Sequence, residues 1–367
     1  MNKKKVLHIA YSGLGGQSTV ALSIPDADST CFYNHHFVFF GIENTHSNNE
    51  KRAKGISAIE RINSIKKKTG FDFRSLWQLF QILKQSKPSV IICHMPSLFL
   101  PVFMYWLFRK TKIIFVEHHS IQLRSKLSLL VSNFNILFAN NIVCLTENYR
   151  SQFLSKMMFI PKFISKKVVI QSNAINEKLF IEDFPKTMSE TKCITMVGRF
   201  NAGKDHSTLL KATRDLVSSG YSLKLSLPGD GDTLEDCKIL SSELKLSEMV
   251  NFPGMISELE IIKVLQLTDI FVLSTAGETQ SLSILQAMAC RIPVIASNVP
   301  GVSDMIAHGK TGLLFEYKNH DDLALNIAKL INDKQLRSKI VTAASVYFDS
   351  NHSYKNFFEG YKNIIEK

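Results

Sequence analysis

Residues 269–297 read Asp269-IFVLSTAGETQSLSILQAMACRIPVIA-Ser297 and contain a strand, a loop, a helix and a second strand. The run Ile270–Leu273 is short and apolar and is followed by small polar residues, which is typical of a buried parallel strand. The loop carries Glu278, and the helix begins near Ser281 and Leu282. Because the first N–H groups of a helix have no partner inside it, this helix end is a predicted anion site.

Short apolar runs alternate with longer segments of helical period on both sides of this unit, which is the pattern of parallel sheets crossed by helices. A polar stretch around Pro185 separates two such series. We therefore predict two doubly wound α/β domains, residues 1–182 and 183–346, followed by a helical segment, residues 347–367. The predicted strands are residues 6–10, 37–40, 90–93, 113–116, 142–145, 168–170, 194–197, 223–227, 250–252, 270–273, 294–296 and 313–315.

The composition is that of a soluble globular protein, with 45% hydrophobic and 21% charged residues in a chain of 367. Its six cysteines lie far apart, without a zinc-binding spacing or a disulfide framework, which favours reduced core thiols. The apolar run after the basic N-terminus is too short for a secretory signal. These features predict a cytoplasmic protein.

Positive charge is concentrated in the first half of the chain. Residues 1–180 hold 24 Lys and Arg against 9 Asp and Glu, a net of +15, whereas residues 181–367 hold 20 against 23, a net of −3. Such a surplus attracts nucleic acid, anionic lipid or a phosphorylated acceptor, and it also fits a plain solvated surface. The aromatic-rich segment Ser97–Arg109 is too short to span a bilayer, so it either packs in the core or leans on lipid or an apolar acceptor.

Several loops that follow predicted strands carry groups suited to a nucleotide. Residues 12–18 include Gly15 and Gly16, where the backbone can approach an anion or simply turn. Arg199 and Lys204 follow the strand at 194–197 and form either a pyrophosphate site or a pair of solvated cations. The turns 228–231 and 253–255 contain glycines against which a flat base could lie.

These motifs, taken in order, resemble family 4 retaining glycosyltransferases of the GT-B fold. The resemblance covers nearly the whole chain and is strongest from Ile194 to Phe315. It implies two Rossmann-like domains facing across a cleft, with a C-terminal helix that crosses back to the first domain. The matching segments are Gly198-Arg-Phe200 with Lys204, Pro228-Gly-Asp-Gly231, Phe252-Pro-Gly254, Glu278 to Gln286, Ala287-Met-Ala289, Pro293–Ser297, Gly309–Leu314 and, more loosely, Gly15-Gly16, Glu117-His-His119 and Asn173-Ala-Ile175.

The resemblance also implies roles for individual residues. Arg199 and Lys204 would hold the donor pyrophosphate, together with the backbone N–H groups of Ser281 and Leu282 and with Gly16. Glu278 would lie near hydroxyls of the donor sugar.

In the same resemblance, His118 would lie beside the transferred sugar, and the turn at Gly254 and Met255 near the base. The chain departs from the family where Gln286 replaces the second glutamate of the motif, which usually binds the ribose hydroxyls. An amide accepts such a bond but loses the charge assistance, which roughly doubles its strength.

The sequence therefore predicts a retaining glycosyltransferase for surface polysaccharide biosynthesis. Its donor would be a nucleotide sugar, most simply a UDP-sugar, and its acceptor a saccharide or a lipid-linked saccharide. No carboxylate pair is spaced for a metal, so we predict catalysis without a metal or another cofactor. The expected partners include the anionic inner face of the cell membrane and exclude nucleic acid. Two alternatives stay open: a GT-B-type nucleotide-sugar epimerase, and a non-catalytic module that binds nucleotide sugars or polyanions.

Overall fold

The structure is a computed structural model that describes residues 3–13, 15–42, 46–118, 124–157, 165–180 and 190–367, with the backbone alone for 46–48. Leu14, His119 and the predicted boundary at 182/183 lie outside the described residues. The chain forms two compact units. Unit 1 contains residues 1–174 and 354–367, and unit 2 contains residues 175–353.

Unit 1 is built on a seven-stranded parallel sheet in the order β3-β2-β1-β4-β5-β6-β7. The side chains of β1 are buried on both faces from Val6 to Ala10, as expected for a sheet covered by helices on both sides. The strands are β1 (Lys5–Tyr11), β2 (Asn34–Gly41), β3 (Ile59–Lys66), β4 (Val90–Cys93), β5 (Lys112–Val116), β6 (Asn141–Cys144) and β7 (Val168–Ile170).

Alternate residues of the strands feed two cores. Leu7 and Ile9 face a cluster that includes Leu79, Leu83 and Val102 of the helices on one side. Ala10, Phe37 and Phe39 face a smaller cluster on the other side. The helices are α1 (Gly16–Ala27), α2 (His46–Lys54), α3 (Phe73–Ser86), α4 (Phe99–Arg109), α5 (Lys126–Phe138) and α6 (Glu147–Ser155), with a short 3₁₀ turn at Pro96–Leu98.

Unit 2 repeats the architecture with a six-stranded parallel sheet in the order β10-β9-β8-β11-β12-β13. Its strands are β8 (Lys192–Thr195), β9 (Leu223–Ser226), β10 (Val250–Asn251), β11 (Ile270–Leu273), β12 (Val294–Ser297) and β13 (Leu313–Phe315). Its helices are α7 (His206–Ser218), α8 (Leu234–Glu243), α9 (Glu258–Gln266), α10 (Leu282–Ala289), α11 (His320–Asn332) and α12 (Lys334–Asn351), with a 3₁₀ turn at Glu177–Leu179.

The last helix, α13 (Tyr354–Glu366), belongs to unit 1 although it follows unit 2 in sequence. Its buried face includes Phe357 and Tyr361. The Tyr33 hydroxyl donates to the Glu366 carboxylate over 2.9 Å, and Lys112 Nζ donates to the Ile365 carbonyl. The helix is therefore an integral part of the first unit.

The predicted fold class is confirmed, because both units are doubly wound parallel sheets. Each predicted strand overlaps an observed one, but β3 was not predicted. Its sequence, Ile59-ERINSI-Lys66, is polar because it forms an edge of the sheet, where every residue except Ile65 is partly or fully exposed. No helix within the described ranges is long and apolar enough to cross a membrane.

Candidate functional site

The strand order of unit 2 reverses between β8 and β11, the two central neighbours from which the sheet is wound in opposite directions. In open α/β sheets, the crevice at the carboxyl ends of two such strands is the usual ligand site. The loop after β8 carries Arg199 and Lys204, and the loop after β11 carries Glu278. The topology therefore brings the predicted residues of unit 2 to one sheet edge.

The two loops are joined by backbone hydrogen bonds. Lys204 forms a β-bridge with Thr275, the Ala276 N–H donates to the Gly203 carbonyl over 2.9 Å, and the Asp205 N–H donates to the Ser274 carbonyl over 3.0 Å. The Asp205 carboxylate then caps α7 by accepting from the Thr208 N–H. Position 204 is thus fixed by the strand end, the neighbouring loop and the helix cap.

Lys204 and Glu278 form an ion pair in which both side chains are largely buried. Burial lowers the pKa of Lys204 to about 8, because a dry environment disfavours the ammonium form. The sequence assigned these residues to different parts of a ligand and did not predict their pairing. Because the Glu278 carboxylate already pairs with the Lys204 ammonium, an incoming anion must either share the ammonium with this carboxylate or displace it.

Arg199 projects from a loop whose backbone is held against a glycine turn. The Gly198 N–H donates to the Pro228 carbonyl and the Phe200 N–H to the Asp230 carbonyl, over 3.1 and 3.0 Å. Gly229 has a φ of +154°, and a Cβ there would lie 1.9 Å from the Gly198 carbonyl oxygen. The glycines of this turn therefore permit the close backbone approach, as at Gly231, whose Cβ would meet the Phe200 carbonyl oxygen.

The side chains next to Arg199 in the loop are packed in the core, whereas the side chain of Arg199 itself is exposed to solvent. Phe200 is buried and stacks on the His206 ring with centroids 3.8 Å apart. Burial lowers the pKa of His206 to about 4, so this ring is neutral and acts as part of the core. Arg199 is exposed and forms no ion pair within the described part of the chain, which leaves its guanidinium able to bind an anion.

Helix α10 begins where the sequence predicts it, with Ser281 as the N-cap accepting a hydrogen bond from the Ile284 N–H. The N–H groups of Ser281 and Leu282 were both expected to meet phosphate. The Ser281 N–H instead donates to the Met305 sulfur over 3.2 Å, a weak acceptor that an anion could replace. The preceding loop is packed tightly, since a Cβ on Gly301 would lie 1.8 Å from the Glu278 carbonyl oxygen.

Gln286 lies in the second turn of α10 and is only 6% exposed. Its amide forms no hydrogen bond with any described residue. Gly254 adopts a φ of +73° in a turn with open space around it, and its carbonyl accepts from the Gly229 N–H over 2.9 Å. Met255 beside it is exposed. The glycine turn at 254 thus adjoins the one that supports Arg199.

Unit 1 places its candidate residues at the carboxyl ends of its own central strands. Gly15 caps the N-terminus of α1 with a φ of 147°, and Gly16 is the first residue of that helix. His118 follows β5, and its Nε2 lies 3.0 Å from Nδ1 of His94, which follows β4. The sequence did not single out His94, although a histidine directly after a predicted strand was a signal available to it.

One group of metal-ligand type occurs among the described residues, formed by Asp215, His320 and Asp321. These side chains belong to α7 and α11 and are partly or fully exposed. They are separate in sequence from the loops that carry Arg199, Lys204 and Glu278.

Comparison with known proteins bears on the family and the fold. Residues 179–346 match the family model described as Glycosyl transferases group 1. The chain is 24% identical over 298 residues to the poly(ribitol-phosphate) alpha-N-acetylglucosaminyltransferase of Staphylococcus aureus, an alignment spanning 79% of this chain and 58% of that protein. It is 22% identical over 354 residues to an uncharacterized glycosyltransferase of Haemophilus influenzae, which spans 96% of both chains.

Among solved structures, the chain is similar to Anabaena HepE in complex with UDP-glucose. The TM-score is 0.84 at 16% sequence identity, with 99% of each chain covered, so the likeness establishes the shared fold. The fold is therefore that of the GT-B glycosyltransferases, and residues 179–346, which make up most of unit 2, match glycosyl transferases group 1.

Proposed function

We propose that this protein transfers a hexose from a UDP-sugar to a saccharide or lipid-linked saccharide, with retention, in the biosynthesis of a surface polysaccharide. The observation that carries the proposal is the Lys204–Glu278 ion pair beside the exposed Arg199 at the switch point of the second sheet. The UDP-glucose complex of HepE supports the choice of donor, and the poly(ribitol-phosphate) named for the S. aureus relative supports a polymeric acceptor.

The chemistry of the leaving group explains the two cations. As the sugar–oxygen bond breaks, negative charge grows on the diphosphate, and fixed positive groups stabilise that charge. Arg199 supplies a bidentate donor and Lys204 a compact charge, while the N-terminus of α10 adds its dipole through Leu282 and Ser281. We propose that these groups take the place of a divalent cation, so that transfer needs no metal or other cofactor.

The remaining residues of unit 2 fit other parts of the donor. Glu278 would accept hydrogen bonds from sugar hydroxyls once the diphosphate has drawn Lys204 away. The buried Gln286 amide would bind the ribose, and the turn at Gly254 and Met255 would contact the base.

For unit 1 we keep the roles that the resemblance assigns. Gly15 and Gly16 would contact phosphate, and His118 would contact the transferred sugar. Retention would follow a same-face route in which the leaving diphosphate accepts the proton of the acceptor hydroxyl.

A basic aromatic surface on unit 1 favours an acceptor held at a membrane. Helices α3 and α4 pack together, with the rings of Phe80 and Phe108 6.1 Å apart. Phe71 and Phe108 are 81% and 74% exposed, and Trp77 is also exposed. Cations border this surface: Lys84, Lys87 and Arg109 line a pocket with Phe108, and Lys110 Nζ lies 3.8 Å from the centroid of the Trp106 ring. We propose that this surface rests on the anionic inner face of the cell membrane through inserted rings and paired headgroups.

Donor turnover tests the proposal directly. The purified protein is incubated with a panel of nucleotide sugars, with and without saccharide acceptors from cell-envelope extracts, in the presence of a chelator. We expect release of UDP that depends on an acceptor, continues under chelation and gives a product with the donor's anomeric configuration by NMR. Interconversion of the sugar without an acceptor would indicate an epimerase, and binding without UDP release a non-catalytic module.

Membrane contact has its own measurement. Vesicles containing phosphatidylglycerol should sediment the protein, whereas neutral phosphatidylcholine vesicles should not. We expect Trp77→Ser combined with Phe108→Ser to weaken this binding about tenfold or more, because each ring buries a large apolar area. Leu325→Ser and Val346→Ser, at exposed apolar positions of unit 2, serve as the control. Equal loss in both variants would contradict the assigned surface.

A further inference from the structure

Four histidines and one aspartate form a continuous row of contacts across unit 1, which we call the histidine row. Its members, in order, are Asp28, His35, His8, His94 and His118. His35 of β2, His8 of β1 and His94 after β4 are fully buried. His35 Nε2 lies 3.3 Å from the Asp28 carboxylate, and His8 Nε2 lies 2.9 Å from His35 Nδ1. The rings of His8 and His94 stack with centroids 6.0 Å apart, and His94 Nδ1 lies 3.0 Å from His118 Nε2.

The register of the sheet explains the row. His8 lies opposite Phe37 in β2 and opposite Ile92 in β4. His35 comes two residues before Phe37, and His94 comes two residues after Ile92. Because side chains alternate along a strand, residues two apart share a face. The histidines therefore lie on one face of the sheet, and from His35 to His94 each is nearer the carboxyl end of its strand than the one before.

The Asp28 end fixes the protons of its neighbours. A carboxylate only accepts, so His35 carries its proton on Nε2 and accepts at Nδ1. His8 must then donate from Nε2, which leaves its Nδ1 as a bare lone pair. This Nδ1 atom is buried, and no described residue hydrogen-bonds to it. His8 consequently has no proton to offer towards His94.

His94 is neutral, and one of its two tautomers is favoured. Burial lowers the pKa of His94 to about 3, so the ring carries a single proton. Its Nε2 is buried without a hydrogen-bond partner among the residues that the structure describes. A proton placed there would be an orphaned buried N–H, which native proteins rarely contain, whereas a bare lone pair costs less. The proton therefore sits on Nδ1, the atom that faces His118.

We infer that His94 donates from Nδ1 to Nε2 of His118 and thereby holds neutral His118 with its proton on Nδ1. His94 is thus a positioning residue that acts through His118. Its own place is firm, because its N–H donates to the Ile9 carbonyl and its carbonyl accepts from the Gln17 amide. On the other side, Arg124 and Ser132 both donate to the Glu117 carboxylate and fix the backbone that carries His118.

The consequence for chemistry rests on the proposed function. With Nε2 of His118 already accepting, this ring contributes a hydrogen-bond donor and not a general base. Such a group fits a sugar oxygen better than an acceptor hydroxyl that must lose its proton. It agrees with a same-face transfer in which the diphosphate takes that proton.

The tautomer is measured by ¹⁵N NMR on protein labelled at histidine, with the His118→Gln variant used to assign the resonances. We expect protonated Nδ1 and unprotonated Nε2 for His118 in the wild type. His94→Asn keeps an N–H at the position of Nδ1 and should preserve this pattern. His94→Leu has the shape of Asn without the donor, and it should convert His118 to a tautomer mixture.

The same variants give a kinetic readout once an acceptor is known. We expect His94→Leu to lower kcat about tenfold with little change in the acceptor KM, and His94→Asn to recover most of the loss, as for one hydrogen bond of ordinary strength. The inference is overturned if wild-type His118 carries its proton on Nε2, a result that stands even if His94→Leu does not fold. The NMR measurement needs no turnover, so a failure of the proposed function leaves it intact.

Discussion

Lys204 and Glu278 join the loops after two neighbouring central strands, β8 and β11, through a single ion pair that is largely shielded from water. Breaking a buried pair by removing one partner leaves an uncompensated charge, whereas supplying a substitute anion does not. The pair therefore serves as a site where a diphosphate can replace a carboxylate as the partner of the ammonium. Four predictions follow from this and from the elements around it.

Removing either cation should strongly weaken donor binding. We expect Arg199→Ala and Lys204→Ala each to weaken binding of UDP-glucose about 30-fold or more, since a charged hydrogen bond contributes about 2–3 kcal/mol. The thermal shift produced by the donor should disappear accordingly. Lys211→Ala, at an exposed position of α7, is the matched control. Arg199→Ala is the cleaner change, and a normal thermal shift in that variant would remove Arg199 from the site.

Donor affinity should fall as the pH rises through about 8. Lys204 has its pKa lowered to about 8 by burial, so the ammonium that attracts the diphosphate is lost above that pH. The free energy of unfolding changes in the opposite direction, because between this pKa and that of an unfolded lysine only the unfolded chain binds the proton. Calorimetric titration with UDP-glucose from pH 6.5 to 9.5 separates the two effects. Lys204→Arg, which keeps its charge, should flatten the profile; a wild-type profile that is already flat would contradict the assignment.

A methyl group at position 229 should damage the site through the backbone. Gly229→Ala places a Cβ 1.9 Å from the Gly198 carbonyl oxygen, so the Arg199 loop must move. We expect a loss of about 3 kcal/mol in the free energy of unfolding, together with weaker donor binding. Gly220→Ala also has a positive φ but meets nothing within 4 Å, and it should cost about 1 kcal/mol with unchanged binding. Urea denaturation and donor titration measure both, and equal effects would rule out the close contact as the cause.

Restoring a glutamate at position 286 should strengthen donor binding and weaken the free protein. Gln286→Glu gives ribose hydroxyls a charged acceptor, and we expect about fivefold tighter binding of UDP-glucose. The same residue is buried in the free chain, where an unpaired carboxylate costs stability, so the melting temperature without donor should fall. Differential scanning calorimetry with and without donor tests both signs. Tighter binding without any loss of stability would mean that the carboxylate finds a partner in the free protein.

The sequence predicts the strands of both sheets because buried parallel strands are short runs of Val, Ile, Leu and Phe. It fails at β3, where Ile59–Lys66 pairs on one side only and keeps polar side chains. Arg199, Lys204 and Glu278 were identifiable because each follows a predicted strand. The ion pair between Lys204 and Glu278 could not be predicted, because it depends on which strands are neighbours in the sheet.

The histidine row illustrates the same limit more strongly. His8, His35, His94 and His118 are separated by tens of residues, and each alone looks like an ordinary polar residue near a strand. Only the strand order and register place them on one face. The hydrogen bond from the Ser281 N–H to the Met305 sulfur also could not be predicted from the sequence, because Met305 belongs to a loop 24 residues further along the chain.

Helix α13 has a consequence for how the polypeptide is made. Residues 175–353 are synthesised before the segment that carries Phe357 and Tyr361, so the whole of unit 2 comes before the last piece of unit 1 in the order of synthesis. Unit 1 therefore cannot complete its core until residues 354–367 have been made, and the surface that α13 covers stays open until then. A stop codon among those that encode residues 354–367 would therefore damage unit 1, most of which is made first, more than unit 2, which directly precedes the stop.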